Sequence, residues 1–317
     1  MPFFSVIIPL YNKESYIENT LKSVLNQSFT DFEIIIIEDC STDNSKNKVE
    51  SFVSEKIKII QHKNNKGLSA SRNTGIENSN SIYLAFLDAD DTWHINYLQK
   101  IFELIQKFPT AHLFATNYVE VYLNDIAVSP SSNLKKIEID GIITDFFESS
   151  LCQNIYCPSS LCVKKEVFEK IGGYNTMINY GEDVDFNIRA NSQFQLAYSN
   201  MAFVNNIMYS ENKITNSSLK TKTITDFDSY EPLAISNKSL KKYLDINRYM
   251  MASNYKKQNN LIGWQKLKKG IHKNPKISGL NIKQRILLKL PPFALQLISK
   301  LKLTLLKKGI RISSFRA

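Results

Sequence analysis

Asp88-Ala89-Asp90 carries the sharpest chemical signal in this chain. It follows the apolar run Tyr83-Leu84-Ala85-Phe86-Leu87, so two carboxylates stand one residue apart at the end of a buried strand. Such a pair can converge on a hard divalent cation, Mg2+ or Mn2+, whose oxygen shell a diphosphate would complete. A bare Asp-X-Asp triplet is usually a solvated turn; its place at a strand end favours the metal. Asp39 closes a second apolar run, Ile34-Ile35-Ile36-Ile37-Glu38. Its carboxylate could accept the N–H of a pyrimidine base, and it suits a helix cap equally well, as do Ser41 and Asp43. Gly67-Leu68-Ser69-Ala70-Ser71-Arg72-Asn73 reads as a loop entering a helix, whose first N–H groups are open to an anion. There Arg72 is either a fixed cation beside a phosphate or base, or a surface arginine on an ordinary capped helix. Glu182-Asp183 starts a later helix, where acidic residues suit the positive end of the dipole. A carboxylate there could also take the proton of an attacking hydroxyl.

Positioning these groups requires a particular architecture. Phe4 to Ile8 is a continuous apolar run, as a buried parallel strand is; Phe32 to Ile37 reads as a second buried strand, Ile57 to Ile60 as a third, shorter one and Ile82 to Leu87 as a fourth. Between them lie helical patterns: Ile17, Leu21, Val24 and Leu25; Asp43 to Ser54; Leu68 to Glu77; and, after the fourth strand, Leu98, Ile101, Phe102 and Ile105. This alternation predicts an α/β layered fold with a mainly parallel sheet flanked by helices. In such sheets ligands bind beyond the carboxyl ends of the strands, and there this chain is polar and twice rich in carboxylates. Leu113 to Tyr122 is a further apolar segment, and Val163 to Ile171 reads as a short helix closed by Gly172-Gly173.

Composition divides the chain. It is 43% hydrophobic and 22% charged, a globular mixture with net charge +10. Residues 1–210 carry 17 basic and 25 acidic side chains, and residues 211–317 carry 23 and 5. An acidic front and a basic back predict two modules: 1–210, and a mainly helical region over 211–317. Within Ile282 to Leu306, Ala294, Ile298, Leu301 and Leu305 form an apolar stripe flanked by Lys300 and Lys302, with Lys308 close to it. A basic amphipathic helix of this kind can rest on an anionic membrane surface; the alternative is a helical subdomain with solvated lysines. No uncharged apolar stretch approaches the roughly 18–20 residues that span a bilayer, and the N-terminus reads as a strand rather than a signal peptide. The four cysteines lack zinc spacing and read as reduced thiols of a cytoplasmic protein. His62, His94, His112 and His272 are scattered and read as non-catalytic. Neither a Walker loop, a GxGxxG fingerprint nor a Ser-His-Asp arrangement is present, and no nucleic-acid motif accompanies the basic tail.

Five stretches together resemble the family 2 glycosyltransferases: Ser5-Val6-Ile7-Ile8-Pro9-Leu10-Tyr11-Asn12, Ile37-Glu38-Asp39-Cys40-Ser41-Thr42-Asp43-Asn44-Ser45, Asn65 to Gly75, Phe86-Leu87-Asp88-Ala89-Asp90-Asp91 and Gly181-Glu182-Asp183-Val184-Asp185. The resemblance implies a GT-A fold and an inverting transferase. Its donor would be a nucleotide-diphosphate sugar, most often a UDP-sugar, and its acceptor a glycan or lipid-linked hydroxyl in bacterial surface polysaccharide or lipopolysaccharide assembly. Pro9, Tyr11, Asn12 and Glu14 would border the nucleotide, Asp39 would contact uracil, and Arg72 and Asn73 would sit nearby. Asp88, Ala89 and Asp90 would serve the ribose and a diphosphate bound to Mn2+ or Mg2+, with Asp90 the firmer metal ligand. Asp183 would be the general base, supported by Glu182. Two departures stand out. Cys40 replaces a glycine, and Tyr209-Ser210-Glu211-Asn212 replaces a Tyr-Arg-X-His motif, leaving the third metal ligand to Asn212 or water. A sugar nucleotidyltransferase and a non-catalytic membrane-associated binding protein are the alternative readings.

Overall fold

The computed structural model describes residues 1–134, 139–213, 217–306, 309–312 and 314. The chain forms two compact units. The first comprises Met1–Val121, Lys136–Thr144 and Tyr156–Asn216; the second comprises Tyr122–Lys135, Asp145–Ile155 and Ser217–Ala317. Two excursions therefore leave the first unit before residue 210, which a single boundary there does not capture.

The first unit is built on one sheet. Its strands are β1 (Phe4–Leu10), β2 (Phe32–Glu38), β3 (Ile57–Gln61), β4 (Tyr83–Phe86), β5 (Thr92–Trp93), β6 (Leu113–Tyr122), β7 (Asp140–Ile143), β8 (Leu161–Lys164) and β9 (Leu196–Ile207). The order is β3-β2-β1-β4-β8-β6-β9-β5, with β7 also paired to β9. β3, β2, β1 and β4 run parallel. β8 lies antiparallel to both β4 and β6, while β9 is parallel to β6 and antiparallel to β5 and β7. Every residue of β1 is buried, which explains its unbroken apolar run: both sheet faces are covered. The helices are α1 (Ile17–Leu25), α2 (Ser45–Glu50), α3 (Leu68–Glu77), α4 (Tyr97–Lys107), α5 (Glu166–Ile171) and α6 (Glu182–Asn191). α1 and α4 bury Ile17, Leu21 and Val24, and Leu98, Ile101 and Leu104, in one core with Val6, Ile8, Ile34 and Ile36.

Two local expectations are corrected. The helix expected over Asp43 to Ser54 shrinks to Ser45–Glu50. The Asp43 carboxylate accepts the Ser45 N–H and fixes the start, and the Ser-Phe-Val-Ser sequence after Glu50 supports a helix poorly. The expected helix over Val163 to Ile171 begins as a strand, because Leu161, Cys162 and Val163 fill a fully buried position between β4 and β6. The helical spacing holds only from Val167 onward, in α5.

The second unit is largely helical, with α7 (Lys238–Lys257), α8 (Leu261–Gly270), α9 (Ile282–Lys289) and α10 (Pro292–Leu306). Asn237 caps α7 by accepting the Leu240 N–H at 2.9 Å. Arg248 is buried against Asp245, Glu231 and Asp228. The Pro291-Pro292 pair separates α9 from α10, since a residue before proline is pushed out of helical geometry. α10 seats Leu295 inward, whereas Phe293, Leu297 and Leu301 are 71%, 67% and 59% exposed. Its outward stripe is thus 293/297/301. Ala294, Ile298 and Leu305 of the expected stripe are half-buried, because packing within the unit consumes that side. Lys308 lies outside the described residues. Among the described residues no helix is long and apolar enough to cross a membrane.

Close approach of α3 to β1 sets the edge on which the polar groups collect. A Cβ on Gly75 would lie 2.4 Å from Ile7 Cγ2, and the branched Ile7 side chain has no room to yield. Gly75→Ala is expected to lower stability by roughly 1–3 kcal/mol through overpacking, measurable as a reduced midpoint in urea unfolding.

Candidate active site

Parallel register brings the strand ends into line. Leu10 lies beside Glu38 and Glu38 beside Gln61, and Ile7 lies beside Phe86. The segments after β1, β2, β3 and β4 therefore leave the sheet along one edge. Asp39, at the end of β2, is 2% exposed. Its Oδ1 accepts the Lys66 N–H at 2.8 Å and meets His62 Nδ1 at 2.7 Å, and its Oδ2 accepts the Gly67 N–H at 2.8 Å. The other ring nitrogen of His62 meets Thr74 Oγ1 at 2.9 Å. His62 is invisible as a site residue in the sequence because it stands alone there; only the register, which sets it beside Asp39, gives it a role. Gly67 has φ +86°, a conformation that favours glycine, and this aims its N–H at Asp39.

The segment after β1 is tied to the one after β2. Asn12 Oδ1 accepts the Thr42 N–H at 2.7 Å, Ser41 Oγ accepts the Asn12 N–H at 3.2 Å, and Glu14 Oε2 accepts the Asn44 N–H at 2.7 Å. Pro9 is buried within β1, while Tyr11 is 42% exposed beside these loops. Cys40 adopts φ +61°, so the turn keeps a left-handed conformation although a side chain has replaced the expected glycine.

Arg72 joins the remaining carboxylates. It is 1% exposed; one terminal nitrogen donates to Asp88 Oδ1 at 2.8 Å and the other to Glu182 Oε1 at 2.9 Å. Burial opposes its charge, but Asp88, Tyr174 and Glu182 outweigh that and hold the guanidinium firmly protonated. Its carbon centre lies 5.1 Å from the centroid of the Tyr174 ring. Asn73 positions that ring: its amide donates to the Tyr174 carbonyl and accepts the Tyr174 N–H, each at 2.8 Å.

The Asp88-Ala89-Asp90 turn is braced from beneath. Thr20 Oγ1 donates to the Ala89 and Asp91 carbonyls at 3.0 and 2.8 Å. Asp91 is buried, accepting from Ser159 Oγ and from the Ile207 N–H, and Ser159 Oγ in turn accepts the Asp88 N–H. Burial, then the charges of Asp90 and Asp88, drive the Asp91 pKa well above the usual carboxylate range. Asp90 Oδ2 accepts from Lys13 Nζ at 2.9 Å and from Ser210 Oγ. Lys13 Nζ also donates to the Glu211 carbonyl at 2.6 Å. Ser210 and Lys13 thus occupy the oxygen beside which the sequence suggests Asn212 or water.

Whether these residues fit a divalent cation can be judged from their donors. Among the described residues no group of three or more His, Cys, Asp or Glu side chains converges on one point. Asp88 and Asp90 offer hard carboxylate oxygens on a single turn, but each is already paired with a protein cation. This donor set fits Mg2+ or Mn2+ sharing its shell with a diphosphate; it is not an all-protein cage.

Asp183 is half-buried at the start of α6 and lines a small cavity with Tyr156, Pro158, Leu161, Tyr174, Phe186 and Asn187. Burial first and neighbouring Glu182 second raise its pKa to about 6, against the opposing pull of Arg72. Asp185 serves the scaffold instead. It pairs with Arg189 at 2.7 Å, and Arg189 also holds the Ile171 and Gly173 carbonyls.

Residues 5–172 match the family model described as "Glycosyl transferase family 2". TuaG of Bacillus subtilis (strain 168), whose name assigns it provisionally to teichuronic acid biosynthesis as a glycosyltransferase, is 38% identical over 115 residues, covering 36% of this chain and 46% of TuaG. Escherichia coli WfgD, named as a UDP-Glc:alpha-D-GlcNAc-diphosphoundecaprenol beta-1,3-glucosyltransferase, is 33% identical over 122 residues, covering 38% of this chain and 48% of WfgD. The chain thus spans about half the length of these relatives. The crystal structure of S. aureus TarS 1-349 in complex with UDP-GlcNAc superposes with a TM-score of 0.67 over 96% of this chain and 92% of that one, at 19% identity. The likeness shows that the GT-A fold is shared.

Arg72→Met leaves Asp88 and Glu182 without their shared cation. It is expected to cost on the order of 3 kcal/mol, as removal of one partner from a buried ion pair does. Chemical denaturation of the purified variant measures this.

Proposed function

Because the chain belongs to glycosyl transferase family 2, we propose that it is an inverting glycosyltransferase. It moves a sugar from a UDP-sugar to a hydroxyl of a glycan or lipid-linked acceptor in bacterial surface polysaccharide or lipopolysaccharide synthesis. The observation that carries this reading is the Asp88–Arg72–Glu182 bridge, which ties the diphosphate turn to the start of α6, where Asp183 stands. The names of TuaG and WfgD and the UDP-GlcNAc bound by TarS support the donor class and the pathway.

In this reading Asp39 Oδ2, held by the Gly67 N–H, accepts the uracil N3–H, and Tyr11 and Asn12 border the nucleotide. Asp90 and Asp88 would hold a Mg2+ or Mn2+ ion, which when bound supplies positive charge to the departing diphosphate. The acceptor hydroxyl attacks the anomeric carbon from the side opposite UDP, and Asp183 takes its proton as the C–O bond forms. Fixing donor and acceptor in line supplies much of the acceleration. A pKa near 6 leaves Asp183 ionised at neutral pH yet more basic than an ordinary aspartate.

The second unit would dock on an anionic bilayer. From Asn247 to the end there are 17 Lys and Arg and no Asp or Glu. Phe293, Leu297 and Leu301 on α10, and Ile282 and Ile286 on α9, stand exposed at i, i+4 spacing. Apolar residues among lysines suit the headgroup boundary.

Two outcomes follow. Asp183→Asn should lose nearly all sugar transfer while UDP affinity, followed calorimetrically, stays within about twofold, since a base acts only in the transition state. Wild-type kcat should fall as pH drops through about 6, because a base with this pKa is protonated below it. UDP release from a panel of UDP-sugars, with acceptor present, reads both. For the second unit, flotation with phosphatidylglycerol-containing vesicles at low salt should recover the wild-type chain and lose the Phe293→Glu/Leu297→Glu variant.

A further inference from the structure

Lys13 is absent from the functional reading above, yet it sits on the group expected to be the firmer metal ligand. Its ammonium is 2.9 Å from Asp90 Oδ2. The side chains of the pair are only 12% and 8% exposed. Its second contact, the Glu211 carbonyl at 2.6 Å, is neutral, so Asp90 is its anionic partner. Ser210 donates to the same carboxylate oxygen. The other carboxylate of the turn, Asp88, is engaged by Arg72.

We propose that Lys13 is the resident counter-ion of Asp90 and makes divalent-cation binding depend on the donor diphosphate. A divalent cation approaching Asp90 alone must displace a half-buried ammonium or sit beside it, and like charges at such separations repel. A diphosphate changes the balance. It brings negative charge enough for both, completes the oxygen shell of the cation, and offers the displaced ammonium a new partner, for which a lysine keeps three donors on a flexible stem. Lys13 thus opposes the metal without the donor and adds to donor binding once it is present. This rests on the UDP-sugar reading only for the identity of the diphosphate; the competition between Lys13 and the metal at Asp90 is independent of it.

The test uses the full chain and reads binding, not turnover. Free Mn2+ is followed by electron paramagnetic resonance during titration of wild type, Lys13→Gln and Lys13→Arg, with and without UDP, and UDP binding is measured calorimetrically in chelator. Without UDP, Lys13→Gln should bind Mn2+ about tenfold more tightly than wild type, as expected for removal of one nearby positive charge, while Lys13→Arg should remain as weak as wild type. In chelator Lys13→Gln should bind UDP several-fold more weakly. A purely structural lysine would not raise metal affinity when removed. Unchanged or weaker Mn2+ binding by a folded Lys13→Gln protein overturns the proposal. Failure of wild type to bind UDP with or without Mn2+ would instead overturn the UDP-sugar reading, and the Mn2+ titration without nucleotide would still decide the role of Lys13.

Discussion

A buried guanidinium shared by two carboxylates is the constraint on which the candidate site depends. Arg72 comes from α3, Asp88 follows β4 and Glu182 opens α6. Separately, each of these charges would be costly to remove from water. Paired through one planar fork, they tie together the middle of α3, the segment after β4 and the start of α6. The fork also sets the electrostatics of Asp183: Arg72 restrains a pKa that burial and Glu182 push upward. The same contact that holds the loops therefore tunes the proposed base.

The charges along this edge form a graded series. Asp39 is held by backbone N–H groups and His62, Asp88 by a fixed guanidinium, and Asp90 by a flexible ammonium. Rigid partners suit a group that recognises the same atoms in every turnover, such as a base-reading carboxylate. A movable partner suits a group whose neighbour must change when a diphosphate arrives. Asp91, buried beneath the turn and bonded to Ser159 and Ile207, belongs to the supporting frame rather than to the open edge.

Much of this is legible in the sequence, and the reasons differ by residue. Asp39, Asp88 and Asp90 are visible because they follow apolar strands, whereas Asp183, at a helix start where acidic residues are common, stands out only through the motif Gly181-Glu182-Asp183-Val184-Asp185. The parallel strands β1, β2 and β4 are visible because burial leaves mainly apolar runs, whereas the edge strand β3, with no buried residue, shows only as a short isoleucine-rich segment. The strand at Leu161–Lys164 is hidden because Val163, Val167 and Ile171 also satisfy helical spacing. Lys13, His62 and Ser210 are hidden for another reason. Their partners lie 77, 23 and 120 residues away, and a lone lysine, histidine or serine in a loop carries no periodic signal. Asn73 is legible as part of a motif, but its bonds to Tyr174 arise only when the Gly173 turn folds against α3.

The central claim is that one sheet edge, from Asp39 across to Asp90, receives a uridine diphosphate with Asp183 at its open end. A crystal structure of the full chain grown with UDP and Mn2+ tests it most directly. Uracil should lie against Asp39 Oδ2 and the diphosphate beside Asp90, with the Arg72 bridge to Asp88 and Glu182 intact. Nucleotide density elsewhere on the chain, or an ordered diphosphate that leaves Asp90 untouched, would contradict it.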